Sequence, residues 1–216
     1  MRSREMNLES VIEGICVKRQ AVARDQSLLV GVSGIDASGK GFVTAKLSDK
    51  LGFKGFNVAV INSDGWLNLP RVRFADTDHG LHFYENALRL DEMFERLILP
   101  LKQNRLIDIT TDLAEETATE FREHNYLFHD IEIILLEGIF LFKKPYADLF
   151  DLRIWVDCSF ETAMIRAIKR AQEGLTTDKT TAAYDTIYFP AQRLHFLLDS
   201  PQSASDLILQ NDEKAA

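Results

Sequence analysis

The chain reads as an α/β protein built on a central parallel five-stranded sheet flanked by helices, and three observations lead there. Five short apolar runs, LLVGVS, FNVAVINS, IEIILLEG, LRIWVD and DLILQ, are separated mainly by segments with helical spacing, the alternation that generates βα units. The runs are close to continuously apolar, as strands covered on both faces require. The first run leads through a glycine-rich turn straight into a helical pattern, a strand–loop–helix order that suits anion binding.

Taken in order, Leu8, Val11, Ile12, Ile15, Arg19 and Val22 recur at helical spacing, so residues 1–27 supply an N-terminal helix whose apolar stripe packs on the sheet. Leu28 to Ser33 is the first strand, and Phe42 to Leu51 the helix after it. FNVAVINS gives the second strand. The polar stretch from Arg71 to Gly80 predicts a long surface loop, and ENALRLDEMFERLILPLK a helix, with Phe83, Tyr84, Leu88, Met93 and Phe94 as core. IEIILLEG and LRIWVD are the third and fourth strands. SFETAMIRAIKRAQEG is a helix, and the polar QEGLTTDKTT marks a small helical lid over about 170–182, a mobile cover able to exclude water. DLILQ closes the sheet. Right-handed crossovers place every strand's carboxyl end on one edge, where ligands bind.

Composition narrows the partners. The 216 residues carry a net charge of −8 and a pI near 5.2, which argues against a nucleic acid polymer or an anionic membrane surface and leaves a small-molecule substrate. No Pro/Gly/Ser-rich linker divides the chain, so a single domain with an inserted lid is expected. Cys16 and Cys158 match no ligand or redox spacing and read as reduced core residues. The first residues lack an apolar h-region, and IEIILLEGIFLF is interrupted by Glu137, so a cytoplasmic location is expected. The histidines show no metal spacing such as H-E-x-x-H. Apolar helix faces leave room for a homo-oligomer.

The chemistry concentrates in SGIDASGKG, Ser33 to Gly41. Successive backbone N–H groups of Gly34, Ile35, Asp36, Ala37, Ser38, Gly39, Lys40, Gly41 and Phe42 would cradle phosphate at the start of a helix, with Lys40 on the outer phosphates. The pattern G-x-x-x-x-G-K-[ST] ends here on Gly41, which lacks the hydroxyl that ordinarily ligates magnesium. Two carboxylates arrive at the same edge: Asp64 just past the second strand and Glu137 at the end of the third. Asp64 suits a base that takes the proton of an attacking hydroxyl, and both carboxylates suit Mg2+. Gly138 permits close backbone approach. Arg166 and Arg170 share one helix face that could close over phosphate, with Arg193 assisting.

These pieces resemble the uridine kinase and phosphoribulokinase group of P-loop kinases over nearly the whole chain. GIDASGKG is similar to its phosphate loop, NSDGW to the segment bearing the catalytic Asp64, LLEGIF to the acidic strand of Glu137, and TDHG to a substrate loop in which Asp78 would meet ribose hydroxyls and His79 would be a further substrate contact. WVDCSFETAMIRAIKR resembles the approach to the lid, which implies Arg166 and Arg170 near the transferred phosphate. SASDLILQND is similar to the final strand, whose following loop lies near the nucleotide base. The resemblance implies a P-loop NTPase fold of nucleoside kinase type, ATP and Mg2+ as cofactors, and phosphoryl transfer to a small-molecule hydroxyl, most simply that of uridine. IDITTDLAEET departs where nucleoside kinases place aromatic and histidine contacts to the pyrimidine. The acceptor thus stays open among nucleosides, pantothenate, glycerate, nicotinamide riboside and sugar phosphates, and Gly41 keeps open a nucleotide-binding regulator without turnover.

Overall fold

The computed structural model describes residues 7–170 and 174–212. In chain order the strands are β1 (Leu28–Ser33), β2 (Val58–Asn62), β3 (Ile107–Leu113), β4 (Arg122–Phe128), β5 (Ile133–Gly138), β6 (Leu152–Asp157) and β7 (Leu207–Gln210). The five expected from the apolar runs form one parallel sheet in the order β2-β5-β1-β6-β7. Every residue of β1 and β5 is buried, which is why their sequences do not alternate.

Side chains alternate across that sheet, and the two faces build two cores. Leu28, Val30 and Val32 of β1 and Ile133 and Leu135 of β5 pack with Val11, Ile12 and Ile15 of α1 (Leu8–Ala21) and Val43, Leu47 and Leu51 of α2 (Lys40–Phe53). The other face carries Leu29, Ile134 and Leu136 against Leu97, Ile98, Phe142 and Phe150. Gly31 lies on this second face because the aromatic rings come too close for any side chain. A Cβ there would stand 2.6 Å from Phe142 and 2.8 Å from Phe150. α1 starts at Asn7, whose side chain accepts the Ser10 N–H at 2.9 Å, and ends with Arg19 Nη1 donating to the Val22 and Ala23 carbonyls. The expectation for residues 1–6 falls outside the described residues.

Three segments differ from the sequence reading. β3 and β4 pair antiparallel as a separate two-stranded sheet, where no strand was expected. The signal was present: Ile107, Ile109, Thr111 and Leu113 alternate with polar residues, and alternate residues along β3 are buried or half-buried. Arg71 to Gly80 is not one loop, because Pro70–Arg73 forms a helical turn and His79 opens a helix to Asn86. The long helix expected after it is broken at Ala87–Arg89, where Leu88 bridges to Leu67, and contains a π turn at Phe94–Ile98. A second π turn spans Tyr184–Tyr188. Each precedes a proline, Pro100 and Pro190, that lies inside the continuing helix. Proline has no N–H and its ring crowds the carbonyl four residues back, so widening the preceding turn lets the helix pass without breaking.

Part of the expected lid, residues 171–173, falls outside the described residues; beyond it a helix spans Thr177–Ala183. Replacing Gly31 by alanine should force β1 away from Phe142 and Phe150 and cost about 1–3 kcal/mol, read as a lower urea midpoint with an unchanged slope.

Candidate active site at the carboxyl edge of the sheet

The phosphate loop occupies the turn between β1 and α2. Ile35 and Ala37 point into the core and are buried, so they anchor the loop and can offer a ligand only their backbones. Gly39 holds φ at +87°, and a Cβ on it would lie 2.4 Å from Asn211 Nδ2; one on Gly34 would lie 2.6 Å from both Ser38 Oγ and the Val156 carbonyl. Both glycines are therefore required by close approach. α2 begins two residues earlier than its sequence suggested, at Lys40. The first N–H to close back on the turn is that of Val43, to the Gly39 carbonyl at 3.1 Å. Lys40, Gly41 and Phe42 thus lie in the first turn, whose N–H groups lack intrahelical partners and favour an anion. The Phe42 ring itself is exposed, with Lys46 Nζ 4.2 Å above it, so this residue reaches the cradle only through its main chain.

Behind the loop stands a clamp. Arg166 Nη1 donates to the Ser38 carbonyl at 3.2 Å, Asn211 Nδ2 donates to the same oxygen at 2.7 Å, and Arg166 Nη2 donates to the Asn211 carbonyl at 2.7 Å. Arg166 therefore positions the loop from outside. Asn211 follows β7 and was not singled out from sequence, because nothing local to QND reports a contact across 173 residues.

Lys40 and Glu137 are both buried, with Nζ 3.9 Å from Oε1. The pairing follows from register: Val32 aligns with Glu137, on the face that α2 covers. Asp64 sits in the short turn Ser63–Gly65 after β2, its N–H donating to Asn62 Oδ1 at 2.7 Å. That turn approaches β5 so closely that a Cβ on Gly138 would lie 1.8 Å from Ser63 Oγ, which accounts for the glycine. Burial pushes the Asp64 carboxyl above the usual range; Lys40 pulls it back and Asp36 adds to the rise. Glu137 is raised for the same first reason, again opposed by Lys40 and increased by Asp64 and Asp36.

Asp36 is the unusual residue of the loop. Its Oδ1 accepts the Ala37 N–H at 2.8 Å and lies 3.7 Å from Arg170 Nη2, while Oδ2 accepts the Tyr184 hydroxyl. It also lines a cleft with Asp64, Leu67, Arg73, Phe83, Glu116, Ile139, Tyr188 and Gln192. Arg73 is buried there, donating to the Glu116 carbonyl in the loop between β3 and β4. Asp78 and His79 are not brought to this cleft. They line a separate open groove with Arg193 and Leu197, and His79 Nδ1 is 2.7 Å from the Ala75 carbonyl. Arg193 lies 4.8 Å over the Phe160 ring and lines that groove too. Glu116 and Gln192 were missed as site residues because they reach the cleft only through tertiary folding.

The Phosphoribulokinase / Uridine kinase family model matches residues 29–211. The chain belongs to this family. Uridine kinase from Macrococcus caseolyticus is 26% identical over 175 residues, covering 76% of this chain and 80% of that protein. Uridine kinase from Bacillus pumilus is 27% identical over 176 residues, covering 77% and 79%. Among solved structures, a possible uridine kinase from Bacillus stearothermophilus superposes with a TM-score of 0.71 at 18% identity, over 94% of this chain and all of that one. Phosphoribulokinase from Rhodobacter spheroides gives 0.63 at 19% identity, over 90% and 73%. The fold is that of the P-loop kinases, and membership places this chain among small-molecule kinases that bind nucleotide through such a loop. No helix among the described residues is long and apolar enough to cross a membrane.

Among the described residues no three His, Cys, Asp or Glu side chains converge to hold a metal unaided. Asp64 and Glu137 nevertheless offer hard oxygen donors at the phosphate loop, and magnesium takes one or two carboxylates and completes its shell with phosphate and water. The residues fit that ion. Because folding raises the Asp64 carboxyl, the folded chain keeps its proton to higher pH than the unfolded chain, and stability falls as pH rises from the ordinary carboxylate range through the raised value. Asp64→Asn should therefore raise the urea midpoint of the ligand-free protein at pH 8, with a gain that shrinks as pH is lowered toward 4.

Proposed function

We propose that this chain is an ATP-dependent kinase that transfers the terminal phosphoryl group to a hydroxyl of a small neutral acceptor, most simply the 5′-hydroxyl of a nucleoside such as uridine. The observation that carries the reading is the placement of Asp64: it lines the cleft beside the phosphate loop, with a carboxyl raised by burial. A base with an elevated pKa is better matched to taking a proton near neutrality. The acceptor oxygen attacks the terminal phosphorus as its proton passes to Asp64, and the bond to the bridging oxygen of the nucleotide diphosphate breaks.

Lys40, at the first position of α2, neutralises charge on the outer phosphates, and Arg170 does so from the lid side. Arg166 holds the loop that presents them. Magnesium, when bound, shields the phosphate charge, and Asp64 and Glu137 are the residues that would hold it. Asp78 and His79 serve the acceptor in this reading only if their segment moves toward the cleft.

Charge in the cleft supports a neutral acceptor. Asp36, Asp64 and Glu116 line it with Arg73, which already serves the Glu116 carbonyl, while Arg170 beside Asp36 and Lys40 near Asp64 stand outside its lining. An acceptor that carried its own phosphate would meet three carboxylates, which disfavours a sugar phosphate. The similar proteins named as uridine kinases support a nucleoside.

Magnesium-dependent ATP consumption should be measured with uridine, cytidine, nicotinamide riboside, pantothenate, glycerate and ribulose 5-phosphate. Turnover is expected with one neutral acceptor, abolished in Lys40→Ala and lowered at least about 100-fold in Asp64→Asn at unchanged ATP affinity. Nucleotide binding without turnover on any acceptor would favour a regulator instead. Gly41 bears on the metal: a Cβ there meets nothing nearer than Glu137 Oε2 at 4.0 Å. Gly41→Ser should fold normally and increase the dependence of nucleotide affinity on magnesium, measured by titration calorimetry with and without the ion.

A further inference from the structure

Gln192 lies in the helix Phe189–Asp199 with only 1% of its surface exposed. Its Oε1 is buried and has no hydrogen-bond partner. A buried acceptor left unpaired is costly, and one that faces a cleft points to a group that arrives with a ligand. Gln192 lines the same cleft as Asp64. Beside it stand the rings of Phe83 and Tyr188, edge to face with centroids 5.1 Å apart, and the apolar side chains of Leu67 and Ile139. The neighbouring polar residues are committed elsewhere: Asp36 to Ala37 and Tyr184, Arg73 to the Glu116 carbonyl.

We propose that Gln192 is a specificity-determining residue, whose side-chain carbonyl accepts a hydrogen bond from a neutral O–H or N–H group of the acceptor while Asp64 takes the hydroxyl to be phosphorylated. This rests on the kinase reading above. The ligand chemistry is that of an uncharged molecule bearing at least two donor groups, one reactive and one read by Gln192. An analogue without the second donor leaves the amide buried and unpaired, and such a site rejects it far more strongly than an apolar pocket would. An anionic group at that position would face a carbonyl oxygen and be excluded.

The test uses Gln192→Met, which keeps length and flexibility, and Gln192→Leu as a second variant should the first fold poorly. Each is compared with the parent for acceptor KM, ATP KM, kcat and thermal midpoint, on whichever member of the acceptor panel the parent turns over. The expected result is a rise of roughly tenfold or more in acceptor KM, with ATP KM within twofold and the ligand-free midpoint unchanged or higher, because an unpaired buried amide has been removed. A purely structural role would lower the midpoint and leave acceptor KM alone. Acceptor KM within twofold of the parent in a folded variant overturns the assignment and leaves the kinase reading standing. A parent that neither turns over nor is thermally shifted by any acceptor overturns the kinase reading and this inference with it.

Discussion

The buried pair of Lys40 and Glu137 is the constraint around which the site is organised. Two opposite charges 3.9 Å apart and nearly free of solvent tolerate the loss of neither partner, since an uncompensated charge at that depth costs several kcal/mol. Lys40 can be there only if α2 begins directly at the end of the loop. Glu137 can be there only if β5 runs parallel to β1 in the register that aligns Val32 with it. The loop, the first turn of α2 and the end of β5 are thereby fixed together, and Asp64 is drawn in by the glycine at 138 that lets its turn approach.

Much of this was legible in the chain. Runs such as IEIILLEG and LRIWVD announced buried parallel strands because both faces are covered, and GIDASGKG announced the loop because its glycines meet conformational demands that are local. Asp64 and Glu137 could be placed at the edge from strand polarity alone. The hairpin of β3 and β4 was missed although IDITTDL alternates, since a short run of seven residues with four polar ones also reads as a loop. The clamp of Arg166 and Asn211 could not be read at all: a contact to one carbonyl from 128 and 173 residues away leaves no local trace. The same holds for the cleft, whose wall combines residues between Asp36 and Gln192.

The site holds groups that the ligand-free protein would be more stable without. Burial disfavours the charge of Asp64, Glu137 meets both Asp64 and Asp36 as like charges, and Gln192 keeps an unpaired carbonyl. Stability given up in this way is common where a site must bind something it does not itself contain. The cost is carried by the two cores beneath, in which the sheet is packed on both faces.

The π turn at Tyr184–Tyr188 has an effect on alignment along its helix. In an unbroken α-helix, residues eight apart are offset by about 80° around the axis, so Tyr184 and Gln192 would look in different directions. One turn widened by a residue takes up most of that offset. Tyr184 can then bond Asp36 in the loop while Tyr188 and Gln192 line the cleft. The proline at 190, which by itself only threatens the helix, thus helps to line up the Asp36 contact and the cleft wall as one row on a single rod.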